Sequence, residues 1–241
     1  MVGERGFEPP TPWSRIGVPR PCRSPATRNK LSCTWIMAFA VIVVVHRATM
    51  TTNYAQEFET VDVIINSTAR TCGVDAFALS VIKAERQIRK LVTHLIYQFP
   101  CFELGDILSL RQTLVNNRGV YFEGFEKGFN ALYPRSISDL VGGEYQRLRG
   151  RMREAVDHRN KIFHGQLTSK NLTRDDLLTY VGDIRTWCKT LVGSAHAEFG
   201  YDGFAWNSFR KSTTHDLEKR LKIQIANIAE YDEFVRQYMQ R

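Results

Sequence analysis

The stretch TRDDLLTYVGDIRTWCKTLVGSA, residues 173–195, carries the clearest helical pattern in this chain of 241 residues. Its apolar residues recur at steps of four and three, at Leu177, Val181, Ile184, Cys188, Leu191 and Ala195. This period places them on one face of an α-helix, which must be covered by other elements. Thr173 is a suitable N-cap, and Asp176 follows three residues later in a variant of the capping box. We therefore predict one long helix inside a packed domain.

Segments before this stretch show the same period. Residues 74–99 predict a helix that Pro100 stops, and residues 103–117 predict a second helix that Gly119 closes. An aromatic stripe follows and ends before Pro134; it consists of Tyr121, Phe122, Phe125, Phe129 and Leu132. Such a stripe is more often part of a core than a platform for stacking bases, and we expect it to be buried.

A further helix is predicted to begin at Ser138, an N-cap residue with Asp139 in the first turn. Its apolar face is Leu148, Met152, Ala155, Val156 and Ile162, and Gly165 suits the left-handed residue just past its end. Residues 216–240 also fit a helix, although residues 221–225 alternate as a short strand would. Helices joined by short polar links, with no convincing strand, predict an all-α helix bundle.

Composition sets limits on function but does not choose one. The chain is 43% hydrophobic and 24% charged, as expected for a globular protein. The formal charge is +8, but residues 1–49 hold seven basic and two acidic residues, which leaves 26 basic against 23 acidic residues from Met50 onward. The total charge is therefore weak evidence for nucleic acid. Five cysteines without a CxxC pair indicate reduced thiols in a cytoplasmic protein.

Residues 1–49 differ from the rest and are predicted to be a disordered leader, because residues 1–30 are rich in Pro and Arg. The apolar run Leu31–Val45 is shorter than the roughly 20 residues of a membrane span, although a membrane anchor remains the alternative. Residues 6–9, Gly-Phe-Glu-Pro, can be encoded by GGN-TTC-GAA-CCN, which resembles the T-arm of a tRNA gene. Our hypothesis is an upstream extension of the reading frame, with the native start at Met37 or Met50.

The segment DHRNKIFHG, residues 157–165, is the strongest candidate for a functional motif. An Arg five positions before a His occurs four times, in the pairs Arg89/His94, Arg153/His158, Arg159/His164 and Arg210/His215. The third pair differs because Asn160 follows the Arg, two apolar residues precede the His, and a Gly follows it. Asn160 and His164 are four residues apart and share a helix face. The long side chain of Arg159 can swing towards the same rim.

The pattern Arg-Asn-x-x-x-His of these residues resembles the signature of HEPN domains. The resemblance covers about residues 55–205, within a HEPN-like helical domain predicted over residues 50–205. The helix with Trp187-Cys188 and the turn at residues 200–203 also look like a plasmid-borne HEPN subgroup. It implies a bundle of four to five helices, here with an additional helical extension at residues 206–241. It also implies a homodimer, a toxin–antitoxin or antiviral role, and an antitoxin protein as a partner.

What the resemblance implies chemically is RNA cleavage without a metal or cofactor, by attack of the 2′-hydroxyl on the adjacent phosphorus. His164 is then the general acid/base, Arg159 binds the phosphate, and Asn160 orients the reacting groups. A net charge of +4 over residues 147–161 predicts an RNA-binding face formed by Arg147, Arg149, Arg151, Arg153 and Lys161. The sequence lacks HExxH, GK[ST] and nucleophile-elbow motifs.

Three alternatives stay open at this point. The domain could be a non-catalytic HEPN module that binds RNA, a nucleotide or a partner protein. The basic helix could be an ordinary solvated face, with His164 complementing the helix dipole and Arg159 in a surface ion pair. The weakest alternative is a membrane-tethered form that uses Leu31–Val45.

Overall fold

A computed structural model describes residues 53–168, 171–205 and 207–240. The predicted leader, the apolar run Leu31–Val45 and the two proposed start residues lie outside this part of the chain. The described residues form helices and contain no strand, which confirms the all-α prediction. In the same residues, no helix has both the length and the apolar character that a membrane crossing requires.

The helices follow one another in this order: α1 (residues 53–65), α2 (Cys72–Ile96), α3 (Ile107–Asn116), α4 (Phe122–Leu132), α5 (Ile137–Val141), α6 (Tyr145–Phe163), α7 (Arg174–Phe199) and α8 (Ile228–Phe234). A π-helical turn, Val235–Met239, continues α8. α2 and α7 form the most extensive helix pair, and α4, α5 and α6 pack around them.

The core lies between α2 and α7. All six apolar positions predicted for α7 are buried, and Trp187 from the same helix is fully buried beside Phe122. The capping box at the start of α7 is also confirmed, because the Asp176 N–H donates to Thr173 Oγ1 over 3.2 Å. The aromatic stripe of α4 is buried as predicted, except that Tyr121 is 50% exposed.

The helix predicted from Ser138 is wrong in its start and in its continuity. Ser136 is the N-cap, and its hydroxyl accepts from the Asp139 N–H over 3.1 Å. The short helix α5 then ends at Gly142, whose φ of +75° breaks the helix before α6 begins. The pair Gly142-Gly143 thus separates two helices that the sequence pattern joins.

The continuous helix predicted over residues 216–240 is also wrong, as is the alternative strand. One short 3-10 turn, Glu218–Arg220, precedes residues 221–227, which have no regular structure, and only the part from Ile228 continues as a longer helix. The apolar residues Leu217, Leu221 and Ile225 are nevertheless buried. The backbone of this segment is bonded to the end of α4 instead of to itself at Lys222, whose N–H donates to the Leu132 carbonyl over 2.9 Å. Apolar residues at helical spacing can therefore be buried by a segment that is not a helix.

A buried histidine in α2 holds the segment that follows α7. The His94 ring stacks on Tyr201 with centroids 4.4 Å apart, and its Nδ1 lies 3.2 Å from the Ser208 carbonyl oxygen. A carbonyl can only accept, so Nδ1 carries the proton in this bond. Burial lowers the pKa of His94 from 6.5 to about 4, although the bond to Ser208 opposes this shift.

This shift predicts a pH-dependent stability. Between pH 6.5 and about 4 the unfolded chain protonates His94 while the folded chain does not, so the free energy of unfolding falls as the pH is lowered. The loss attributable to this residue is about 3 kcal/mol. Urea unfolding of the parent and of His94→Phe at a series of pH values measures it. The variant should show a smaller slope than the parent, and equal slopes in the two proteins would refute this role.

Candidate functional site

His164 is located where α6 ends. It is the C-cap residue, with φ −89° and ψ 7°, and its N–H donates to the Asn160 carbonyl over 3.0 Å. Gly165 follows with φ +64°, which confirms the predicted left-handed residue. The ring of His164 is exposed and makes no hydrogen bond within the described residues. A helix end thus presents an imidazole to molecules in solution.

Asn160 is exposed one helical turn before His164. It borders a cleft of about 460 Å³ between the start of α4 and α6. Tyr121 and Glu123 line the α4 side of this cleft, and Arg153 and Asp157 line the α6 side. Asn160 and His164 therefore share one face of α6, as their spacing predicts, and that face opens onto a cavity.

Arg159 points away from that rim. Its side chain is 15% exposed, and its Nη2 donates to Glu85 Oε1 of α2 over 2.6 Å. The guanidinium also lies 5.8 Å from the centre of the Phe163 ring. Since a guanidinium carries five N–H donors, the bond to Glu85 occupies only part of its capacity. The Nε atom is buried and has no hydrogen-bond partner within the described residues.

Glu85 is a member of the site that the sequence pattern does not reveal. This residue lies on the stripe of α2 between the buried Val81 and Ile88, where a carboxylate is out of place. Burial raises the pKa of Glu85, and the neighbouring charge of Arg159 only partly offsets the increase. The sequence therefore marks Glu85 only as a carboxylate within an apolar stripe. It does not identify the partner, Arg159, which lies 74 residues away.

The pair predicts a measurable coupling. Glu85→Ala should lower the free energy of unfolding by about 2 kcal/mol, because it leaves a largely buried guanidinium without its acceptor. A double-mutant cycle with Arg159→Leu, followed by urea unfolding, separates this interaction from lost packing. The exposed carboxylate Glu59, changed to Gln, serves as a control and should stay within about 0.5 kcal/mol of the parent. Additive effects of the two single substitutions would rule the coupling out.

The predicted RNA-binding residues all form ion pairs. The pairs are Arg147 with Glu144 and Asp183, Arg149 with Glu126, Arg151 with Asp183 and Glu154, Arg153 with Glu123, and Lys161 with Asp157. Arg147 and Arg151 thereby face α7, whereas Arg149 and Arg153 face α4. Arg153 is the most exposed of the four arginines, at 63%, and lies on the face of Asn160. Neighbouring helices thus balance much of the positive charge of α6.

Two exposed apolar side chains stand beside His164. Phe163 directly precedes it and is 58% exposed, and Leu167 follows three residues later and is 95% exposed. Large apolar side chains that are exposed beside a polar site suit contacts with a ligand or with another chain. The rim of the site is therefore apolar on one side and polar on the other.

Within the described residues, no group of three or more His, Cys, Asp or Glu side chains could hold a metal ion. In comparisons with family models, curated proteins and solved structures, nothing matches this chain. The molecule is thus defined by its own features: an all-α fold and, at the end of α6, an exposed Asn–His pair beside an Arg–Glu ion pair.

Proposed function

We propose that this protein is an endoribonuclease of the HEPN type, acting in toxin–antitoxin or antiviral defence, and that it cleaves RNA without a metal. The observation that carries the proposal is the exposed His164 at the end of α6, four residues after Asn160 and on the same helix face. Imidazole is the side chain that ordinarily changes charge between about pH 5 and pH 8, so it suits proton transfer at neutral pH.

The proposed reaction needs only groups of the RNA and the protein. The 2′-hydroxyl oxygen forms a bond to the adjacent phosphorus, the bond from phosphorus to the 5′-oxygen breaks, and a 2′,3′-cyclic phosphate remains. One proton leaves the 2′-oxygen and one joins the departing 5′-oxygen. Neutral His164 can accept the first proton, and protonated His164 can donate the second. A homodimer would bring two such histidines to one phosphate.

The neighbouring residues have distinct roles in this proposal. Arg159 contacts a phosphate oxygen through the N–H donors that Glu85 leaves free and stabilises the charge that develops in the transition state; its guanidinium must turn from α2 towards His164 to do so. Glu85 holds the guanidinium against α2 until RNA binds. Asn160 offers an amide that can donate to the phosphate or orient the imidazole. Arg153, the most exposed arginine of the predicted set, can contact the RNA backbone.

A second candidate function is a non-catalytic module that binds RNA, a nucleotide or a partner protein such as an antitoxin. It is favoured by the low exposure of Arg159 and by the acidic partners of the basic residues, which leave little free positive charge for a phosphate. Phe163 and Leu167 would then form part of a protein interface.

One experiment separates these candidates. The full chain is incubated in EDTA with a labelled single-stranded RNA and with the same sequence made entirely of deoxyribonucleotides. The proposal predicts that the RNA is cut and the DNA is not, because only RNA has the attacking 2′-hydroxyl. Binding of RNA without cutting would favour the second candidate. Cutting of both strands would exclude the proposed chemistry.

A further inference from the structure

The cleft beside Asn160 combines an exposed aromatic ring with several carboxylates. Its α4 side is lined by Tyr121, which is 50% exposed, and by the buried Phe122. Its α6 side carries Asn160 itself, so the cleft begins at the proposed catalytic face. A volume of about 460 Å³ exceeds that of a single nucleobase, and an exposed aromatic ring is the usual partner on which a base stacks.

The charges of this cleft are unfavourable for a phosphate. Three carboxylates line it, from Glu123, Glu154 and Asp157, against the single guanidinium of Arg153. Arg153 is already bonded to Glu123, with 3.1 Å between Nε and Oε1. Glu154 and Asp157 are in turn paired with basic residues of α6, at 3.2 and 2.8 Å, so the cations beside the cleft are already occupied and attract a phosphate only weakly. Carboxylates accept hydrogen bonds, so the ligand that suits them is uncharged and carries N–H donors.

We propose that this cleft binds the nucleobase next to the scissile phosphate, and that it selects guanine. The inference rests on the proposed ribonuclease function and names the substrate feature that the site recognises. The base stacks on Tyr121, and its edge donates to the carboxylates of Glu123 and Asp157. Asn160 then lies between the bound base and His164 along the same helix face.

Guanine is chosen because of its hydrogen-bonding edge. Its N1–H and N2–H₂ groups are adjacent donors, which one carboxylate can accept side by side. Adenine and cytosine each offer one exocyclic amino group next to an acceptor nitrogen. Uracil places two carbonyl oxygens on either side of its single N–H, and these oxygens would face the carboxylates. The expected order is guanine first and uracil last.

The test uses substrates with one cleavable position. A DNA strand carries a single ribonucleotide whose base is G, A, C or U, and a second series varies the base on the 3′ side instead. We expect kcat/KM for G to exceed that for U by between about fivefold and a hundredfold in one of the two series. Asp157→Asn and Glu123→Gln should each bring this ratio towards one, whereas the exposed control Glu59→Gln should keep the parental ratio.

A further pair of variants tests stacking. Tyr121→Leu should lower kcat/KM for all four bases, and Tyr121→Phe, which keeps the ring, should restore most of the loss. Equal kcat/KM for the four bases in both series would overturn the guanine cleft and leave the ribonuclease proposal standing. A preference for G that neither carboxamide variant reduces would also overturn it.

Binding separates the two proposals if no substrate is cut. The trinucleotides UGU and UUU are then titrated into the parent and into Asp157→Asn while tyrosine fluorescence is followed. Tighter binding of UGU that Asp157→Asn removes would support the cleft although the proposed enzymatic function has failed. Equal binding of UGU and UUU to the parent would contradict the guanine-binding cleft, whether or not the protein is a ribonuclease.

Discussion

Replacement of His164 by alanine is expected to lower the rate of RNA cleavage by a factor of about 10² to 10⁴, the usual contribution of a positioned acid or base. The effect should be large because, within the described residues, no other histidine shares the exposed face of Asn160. The rate is measured in EDTA under single-turnover conditions, with enzyme in excess over a labelled RNA. This choice reports the chemical step rather than product release.

The chain offers a well-matched control for this substitution. His215 also stands five residues after an arginine, Arg210, and its side chain is 92% exposed. His215→Ala should therefore cut RNA at the parental rate. Both variants should unfold within about 0.5 kcal/mol of the parent, since each removes an exposed side chain. A similar loss of activity in both variants would show that the assay follows a contaminant, and full activity in His164→Ala would remove His164 from the mechanism.

Replacement of Gly124 by alanine is expected to produce the largest loss of stability. A Cβ atom at this position of α4 would lie 2.0 Å from the carbonyl oxygen of Met239 and 3.1 Å from its carbonyl carbon. These are backbone atoms, so the clash cannot be relieved by a change of rotamer. We expect the free energy of unfolding to fall by about 3 kcal/mol, at the upper end for overpacking. Urea unfolding of the full chain measures this change.

Gly182 provides the matched control for Gly124. It lies in the middle of α7 and is exposed, and a Cβ atom at this position would meet no atom within 4 Å among the described residues. Gly182→Ala should therefore raise the free energy of unfolding by about 0.5–1 kcal/mol, because alanine loses less backbone entropy in a helix. If Gly124→Ala were as stable as the parent, the close packing of the turn Val235–Met239 on α4 would be wrong.

This packing explains why two glycines occur in a helix that is otherwise rich in aromatic residues. A Cβ at Gly128 would also meet the Met239 side chain, at 2.7 Å from Cγ. The two glycines lie four residues apart, on one face of α4, and so leave a flat strip for the C-terminal turn. Their helix-weakening effect is compensated by the contact that they permit.

The sequence predicted correctly those structural features that depend only on residues close together in the chain. The period of α7 and its capping box lie within one helix, and both agree with the structure. The same is true of Gly165, whose left-handed conformation follows from its position after α6. Ser138 precedes Asp139 directly and is a preferred N-cap type, but Ser136 stands at the capping-box spacing from the same aspartate. The error in the helix start therefore arises from two serines that each satisfy part of the rule.

Features that depend on distant parts of the chain were not predictable in this way. The ion pair between Arg159 and Glu85 joins α6 to α2, and Arg149 reaches a buried glutamate of α4. A count of charges along α6 cannot include such partners, so it overstates the free positive charge. The irregular residues 221–227 show the converse case. Their apolar residues have helical spacing and are buried, but the backbone is not helical and the Lys222 N–H donates to the Leu132 carbonyl at the end of α4.

The chemistry of the RNA ends tests the central claim most directly. RNA is incubated with the full chain in EDTA, and the 3′ and 5′ ends of the products are determined by mass spectrometry. Attack by the 2′-hydroxyl predicts 2′,3′-cyclic phosphates and 5′-hydroxyls from the parent, and no such ends from His164→Ala. Products with 3′-hydroxyls and 5′-phosphates, or cyclic ends formed equally by His164→Ala, would contradict the account.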